Sequence, residues 1–153
     1  MIANIQFTRN FSLHELLTTD HRKFDLEQYN PPPEVIENLR ALCIHVLQPL
    51  RDATGSPIKI NSGYRCPSLN KAINGSKTSQ HMTGHAADII DLTNGNEFLY
   101  RKIVELKLPF DQMIDEFGFR WVHISFDPKR NRRDVLQARK DTSGKTVYIR
   151  PNV

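Results

Sequence analysis

Apolar residues recur at three- and four-residue spacing through Val35, Ile36, Leu39, Leu42, Cys43, Val46, Leu47 and Leu50. That spacing lays one helical face against a core. The pattern predicts a main core helix leading out of Pro31-Pro32-Pro33, with Pro49 kinking or ending its last turn. A second stripe, Phe98, Leu99, Ile103, Val104 and Leu106, predicts a helix closed by Pro109 that covers one face of a sheet. Two shorter helices are expected. Ser12 to Glu15 reads as a capping box, and Pro67 to Ile73 as a helix with proline in its first turn. His14 and His21 read as surface residues, and His45 lies off the core stripe.

Elsewhere the apolar period shortens to that of strands: Ile58–Asn61, Ala86–Ile90, Phe110–Phe117, Arg120–Phe126, Val135–Ala138 and Thr146–Ile149. Turns separate them at Gly55-Ser56-Pro57, Asn74-Gly75-Ser76, Thr93 to Asn96 and Asp141 to Gly144. Mixed helices and strands in 153 residues predict an α+β protein with one domain over residues 1–153. Residues 1–31 would form a lead-in helix and loop.

Candidate chemistry lies in Ser79-Gln-His-Met-Thr-Gly-His-Ala-Ala-Asp88. His81 and Asp88 are seven residues apart, roughly 10 Å along a continuous helix, whereas zinc bonds to nitrogen and oxygen are only about 2 Å long. The stretch must bend if both side chains hold one ion. Gly84 supplies the bend, and the small residues Ala86 and Ala87 leave room beside Asp88. In Arg120–Phe126, alternation puts Trp121, His123 and Ser125 on one face and Val122, Ile124 and Phe126 on the other. Paired strands could bring His123 to Asp88. Two histidines and one carboxylate leave a fourth zinc position open, the pattern of catalytic rather than structural zinc. His81 and His85 have the four-residue spacing of His-Glu-x-x-His sites, but Met82 stands where the glutamate would be, so that motif is rejected.

Composition adds limits. Hydrophobic content of 39% and charged content of 25% are ordinary. A net charge of +4 favours polyanionic surroundings only weakly. The basic run Lys129 to Arg133 has no interleaved aromatics, which ranks nucleic-acid binding low. Cys43 and Cys66 are expected as free thiols. No stretch approaches the ~20 apolar residues of a membrane span, and the first residues lack a signal pattern, so synthesis in the cytoplasm without membrane insertion is expected.

The combination Ser-x-His-x-x-Gly-x-Ala-x-Asp with Trp-x-His resembles the zinc D-alanyl-D-alanine carboxypeptidase family, which includes phage endolysins and cell-wall endopeptidases. Phe11 to Leu16, Pro32 to Leu50, Ser62-Gly63-Tyr64-Arg65, Gly75 to His81 and Phe110-Asp111-Gln112 resemble its compact phage and bacterial branch. The resemblance implies a mainly antiparallel sheet with helices packed on it, a fold shared with the Hedgehog signalling domain. It further implies one zinc ion on His81, Asp88 and His123, and a peptidoglycan stem peptide as substrate. Either a terminal D-Ala-D-Ala bond or an internal L-Ala-D-Glu bond would be cut. Counting the catalytic domain leaves no residues for a separate wall-binding module, and a monomer is expected.

By the same resemblance Arg65 lines the site, where its guanidinium suits a substrate carboxylate or a developing oxyanion. Ser79 is a candidate substrate contact. His85 stands where many relatives carry an acid and could support a metal ligand, face the substrate or be exposed. Several branches place an acid three residues before the last histidine ligand, but Arg120 occupies that position here and cannot accept a proton. Glu116 is the expected general base, with Asp115 in reserve. The alternative is a zinc-binding interaction domain without turnover, as in Hedgehog; Arg120 is the residue that favours it.

Overall fold

The structure, a computed structural model, describes residues 1–151. Its early helices are α1 (Leu13–Leu17), α2 (Asp25–Gln28), α3 (Pro33–Leu42) and α4 (Gln48–Thr54). Between α3 and α4 a wide π-helical turn spans Cys43–Leu47. Then come β1 (Lys59–Ser62), α5 (Pro67–Ala72), β2 (Ala86–Ile90), α6 (Asn96–Glu105), β3 (Gln112–Glu116), β4 (Trp121–Ser125), β5 (Asp134–Lys140) and β6 (Thr146–Ile149). This is the expected α+β class.

The six strands form one sheet in the order β1-β2-β4-β3-β5-β6. Every pairing is antiparallel except β3 with β5, which is parallel. That exception was not legible in the strand patterns. It arises because the segment after β4 folds back to the start of β3, where the Arg133 and Asp134 amides donate to the Phe110 and Asp111 carbonyls.

Alternation sorts the side chains. Val122, Ile124, Ile89 and Met113 are fully buried on one face, together with Leu39, Leu42, Val46 and Leu47 of the long helical segment and Leu99 and Ile103 of α6. Burying each such side chain contributes about 1.5–3 kcal/mol. The opposite face carries polar groups and a cavity.

Several expectations need correction. Pro49 does not end the helix; the chain stays helical to Thr54. A proline ring clashes with the carbonyl four residues back in a regular helix, and here the wider turn immediately before it relieves that crowding. In α6 the buried residues are Leu99 and Ile103, while Val104 and Leu106 are 47% and 38% exposed. Ser12 makes no side-chain cap. His14 is half-buried, its Nε2 lying 2.7 Å from the Ile2 carbonyl. Cys43 and Cys66 are both free and buried, as expected. No helix among the described residues is long and apolar enough to cross a membrane.

Candidate metal centre and its cavity

Antiparallel pairing of β2 with β4 puts Asp88 directly opposite His123. The same row continues to Ser62 of β1 on one side and to Ile114 of β3 on the other. His81 arrives from the turn before β2. Gly84 lets that turn reverse, with φ 78° and a position where a side chain would strike the Val35 carbonyl at 2.7 Å. The turn therefore packs directly onto α3.

His81 Nδ1 lies 2.7 Å from the Gly63 carbonyl oxygen. A carbonyl only accepts, so Nδ1 carries the hydrogen and the Nε2 lone pair is left free. His81 Nε2 and His123 Nδ1 converge on the same Asp88 oxygen, at 3.4 and 3.1 Å. One ligand atom from each of the three residues falls within 4.8 Å of the others, so they could hold one metal ion. Two borderline nitrogen donors with one carboxylate suit zinc. Burial would raise the Asp88 pKa, but the two imidazoles beside it, His81 and His123, outweigh it and hold the carboxyl well below its usual range. That keeps it anionic, as a metal ligand must be.

These residues lie in a cavity of about 890 Å³ along the sheet face not covered by helices. Arg65, Ser79 and Glu116 also line it. Glu116 sits beside Ile114 in the alternation of β3 and opposite Trp121, making it a diagonal neighbour of His123. Burial raises its pKa most, His123 lowers it, and Asp88 and Asp115 raise it further, to about 7. Asp115 points the other way. Its carboxylate accepts from the Phe119 amide at 2.7 Å and from Arg139 at 2.8 Å, and it is absent from the cavity lining. Arg120 is exposed and also lies outside the lining.

Arg65 is positioned through Asn70. Its Nη1 donates to Asn70 Oδ1 at 3.3 Å, and Asn70 Nδ2 donates to the Ser76 carbonyl at 3.0 Å. Gly75 permits this contact, since a side chain there would meet Asn70 Oδ1 at 2.1 Å. Burial pulls the Arg65 pKa down while Asp88 and Glu116 push it back up, so the guanidinium stays charged. Its Nε, like Trp121 Nε1, is buried without a hydrogen-bond partner among the described residues.

Ser79 serves the local backbone, its hydroxyl accepting from the His81 amide at 3.2 Å, while still facing the cavity. His85 does not face it. Its Nδ1 lies 2.7 Å from the Thr83 hydroxyl, and burial lowers its pKa. The expectation of a substrate contact at His85 therefore changes: the chain turns between His81 and β2, carrying that side chain away from the cavity.

A clamp escaped the sequence analysis. Buried Asp111 accepts two hydrogen bonds from the Arg132 guanidinium, at 2.8 and 3.0 Å, and one from Gln80 at 2.8 Å. It ties the residue before His81 to the basic loop. Burial would raise the Asp111 pKa, but these bonds bring it down to about 2. Arg133 also serves the fold, donating to the Leu108 carbonyl and lying over the Phe110 ring. An Asp and an Arg twenty-one residues apart carry no pairing signal by spacing alone.

Residues 9–125 match the family described as Peptidase M15. The chain belongs to this peptidase family. A stretch of 44 residues, 28% of the chain, is 46% identical to a zinc D-Ala-D-Ala carboxypeptidase of Streptomyces albus G. That match spans only 17% of the relative's length. The relative's name gives zinc as its metal, and His81, Asp88 and His123 could hold one such ion here.

Proposed function

We propose that the chain hydrolyses a peptide bond in peptidoglycan stem peptides. The observation that carries this reading is Glu116. A carboxylate with its pKa raised to about 7 shares one cavity with a three-donor metal site. A purely structural acid would gain nothing from such a position, because burying it near Asp88 costs stability.

When bound, zinc supplies Lewis acidity that acidifies water and polarises the scissile carbonyl. Glu116 takes the proton from the attacking water and returns it to the leaving amine, a role suited to a pKa near working pH. Arg65 holds a substrate carboxylate or the oxyanion through donors that include the unpartnered Nε. Ser79 keeps the His81 backbone in place and presents its hydroxyl to the substrate.

The name of the Streptomyces relative supports a cell-wall peptide as substrate, and the resemblance to compact phage enzymes supports a lysin that reaches the wall after synthesis in the cytoplasm. Cavity residues on both sides of the metal centre, from Asn61 to Tyr148, favour a peptide that continues past the bond cut.

The test is digestion of peptidoglycan and defined stem peptides by zinc-loaded protein, with products weighed by mass spectrometry. Product masses name the bond. A zinc-loaded wild type that cuts none of the panel would replace the peptidase reading with a zinc-binding interaction domain.

A further inference from the structure

The part of the chain after residue 125, outside the family match, is not a passive tail. β5 adds to the catalytic sheet by pairing with β3 over five positions, and β6 pairs with β5 over four. Arg139 of β5 donates to buried Asp115 of β3 at 2.8 Å, pinning the hairpin to the strand that carries Glu116. The hairpin is held where the sheet places it.

Its register has a direct consequence for the cavity. Glu116 faces Ala138, and Ala138 faces Tyr148. All three side chains share one sheet face, so only a methyl group separates the columns of Glu116 and Tyr148. Leu136, Thr146 and Tyr148 extend the cavity lining beyond Glu116. Tyr148 is nevertheless 57% exposed. A large aromatic ring left this open at the rim of a cavity adds little to the core, and Tyr combines apolar area with a hydroxyl that suits ligand contact.

We propose that the β5–β6 hairpin is a substrate-binding arm, in which Tyr148 with Leu136 and Thr146 holds the part of the peptide that runs past Glu116. The ligand class is an extended peptide with a small apolar side chain against Leu136 and the Tyr148 ring, and backbone groups against the Thr146 and Tyr148 hydroxyls. Burial raises the Tyr148 pKa, and the negative charges of Glu116 and Asp88 raise it further. The phenol therefore remains a hydrogen-bond donor at neutral pH. This inference rests on the peptidase reading and adds to it which element selects peptide length.

The test measures binding of stem peptides of increasing length to zinc-free protein by calorimetry, and KM and kcat on the zinc-loaded form. The protein has a single tryptophan, and Trp121 lines the cavity, so its fluorescence gives a second binding signal. Tyr148→Ala should weaken binding of the longer peptides about tenfold, with the loss in KM rather than kcat, and Tyr148→Phe should weaken it by less. Ile149→Ala, on the opposite face of the same strand, controls for damage to the hairpin and should leave binding unchanged. Equal loss in Tyr148→Ala and Ile149→Ala, or unchanged binding in both Tyr148 variants while wild type binds, would overturn the arm and leave the peptidase reading standing. A wild type that neither binds nor cuts any peptide would overturn both.

Discussion

The two faces of β4 show how one strand serves opposite purposes. Val122 and Ile124 are fully buried against the helices, and their contribution is apolar area alone. Trp121 and His123, one residue out of step, face the cavity with Asp88 and Glu116. On the first face any well-packed apolar group of the right volume would serve. The second face demands particular atoms at particular distances, and it keeps a buried carboxyl together with an indole N–H and a guanidinium N–H that have no partner among the described residues. Each such orphan donor costs about 1–3 kcal/mol. The packed face compensates for that strain, so stability and chemistry are divided between faces rather than between domains.

Substitutions should separate the faces, and the largest effect is expected at the metal. His123→Ala removes one of three donors and should reduce zinc affinity by at least about 100-fold, abolishing cleavage; calorimetry and metal content check this. It should also remove the rise in Tm that zinc confers on the wild type. Undiminished zinc binding would show that His123 is not a ligand.

Glu116→Gln comes next. Cleavage should fall about 10²–10⁴-fold with zinc still bound. The same substitution should stabilise the zinc-free protein. Glu116 has a folded pKa of about 7 against an ordinary value of 4.5, so the folded state holds the proton longer than the unfolded state does. Its wild-type stability therefore falls as pH rises from 4.5 to 7 and is level above. Glutamine escapes that loss, gaining on the order of 2–3 kcal/mol at pH 8 and nothing near pH 4. Denaturant melts at the two pH values read it directly. Equal stabilities at pH 8 would mean that Glu116 is not strained.

Ile124→Ala, on the packed face, should cost about 3 kcal/mol and lower Tm by about 6–12 °C in a domain of this size. Below its melting point it should still bind zinc. Loss of zinc binding in the folded variant would break the division between faces. The smallest effect is expected at Arg120, exposed and off the cavity. Arg120→Ala should change stability by less than about 0.5 kcal/mol and leave KM and kcat alone.

Much of this arrangement was legible beforehand because strands alternate. The period of two around Trp121-Val122-His123-Ile124 separated core from site residues correctly, and the bend at Gly84 followed from the reach of a metal bond. Which of Asp115 and Glu116 faces the cavity was open until β3 was placed, since adjacent residues on a strand point to opposite faces but their pattern does not say which face is covered. His85 was a candidate through its neighbours in sequence, and a turn carries it elsewhere. Tyr148 gave no signal, because Thr146 to Ile149 reads as an ordinary strand.

Local order alone determined most of the helices and strands, the α+β class and the three candidate metal donors, since periodicity and donor chemistry are properties of nearby residues. Tertiary structure decided the parallel insertion of β5 beside β3, the passage of the helix through Pro49, the Asp111 clamp and the meeting of Tyr148 with the site. Each depends on contacts between residues far apart in the chain, whose energy exists only once the sheet has assembled and set their register.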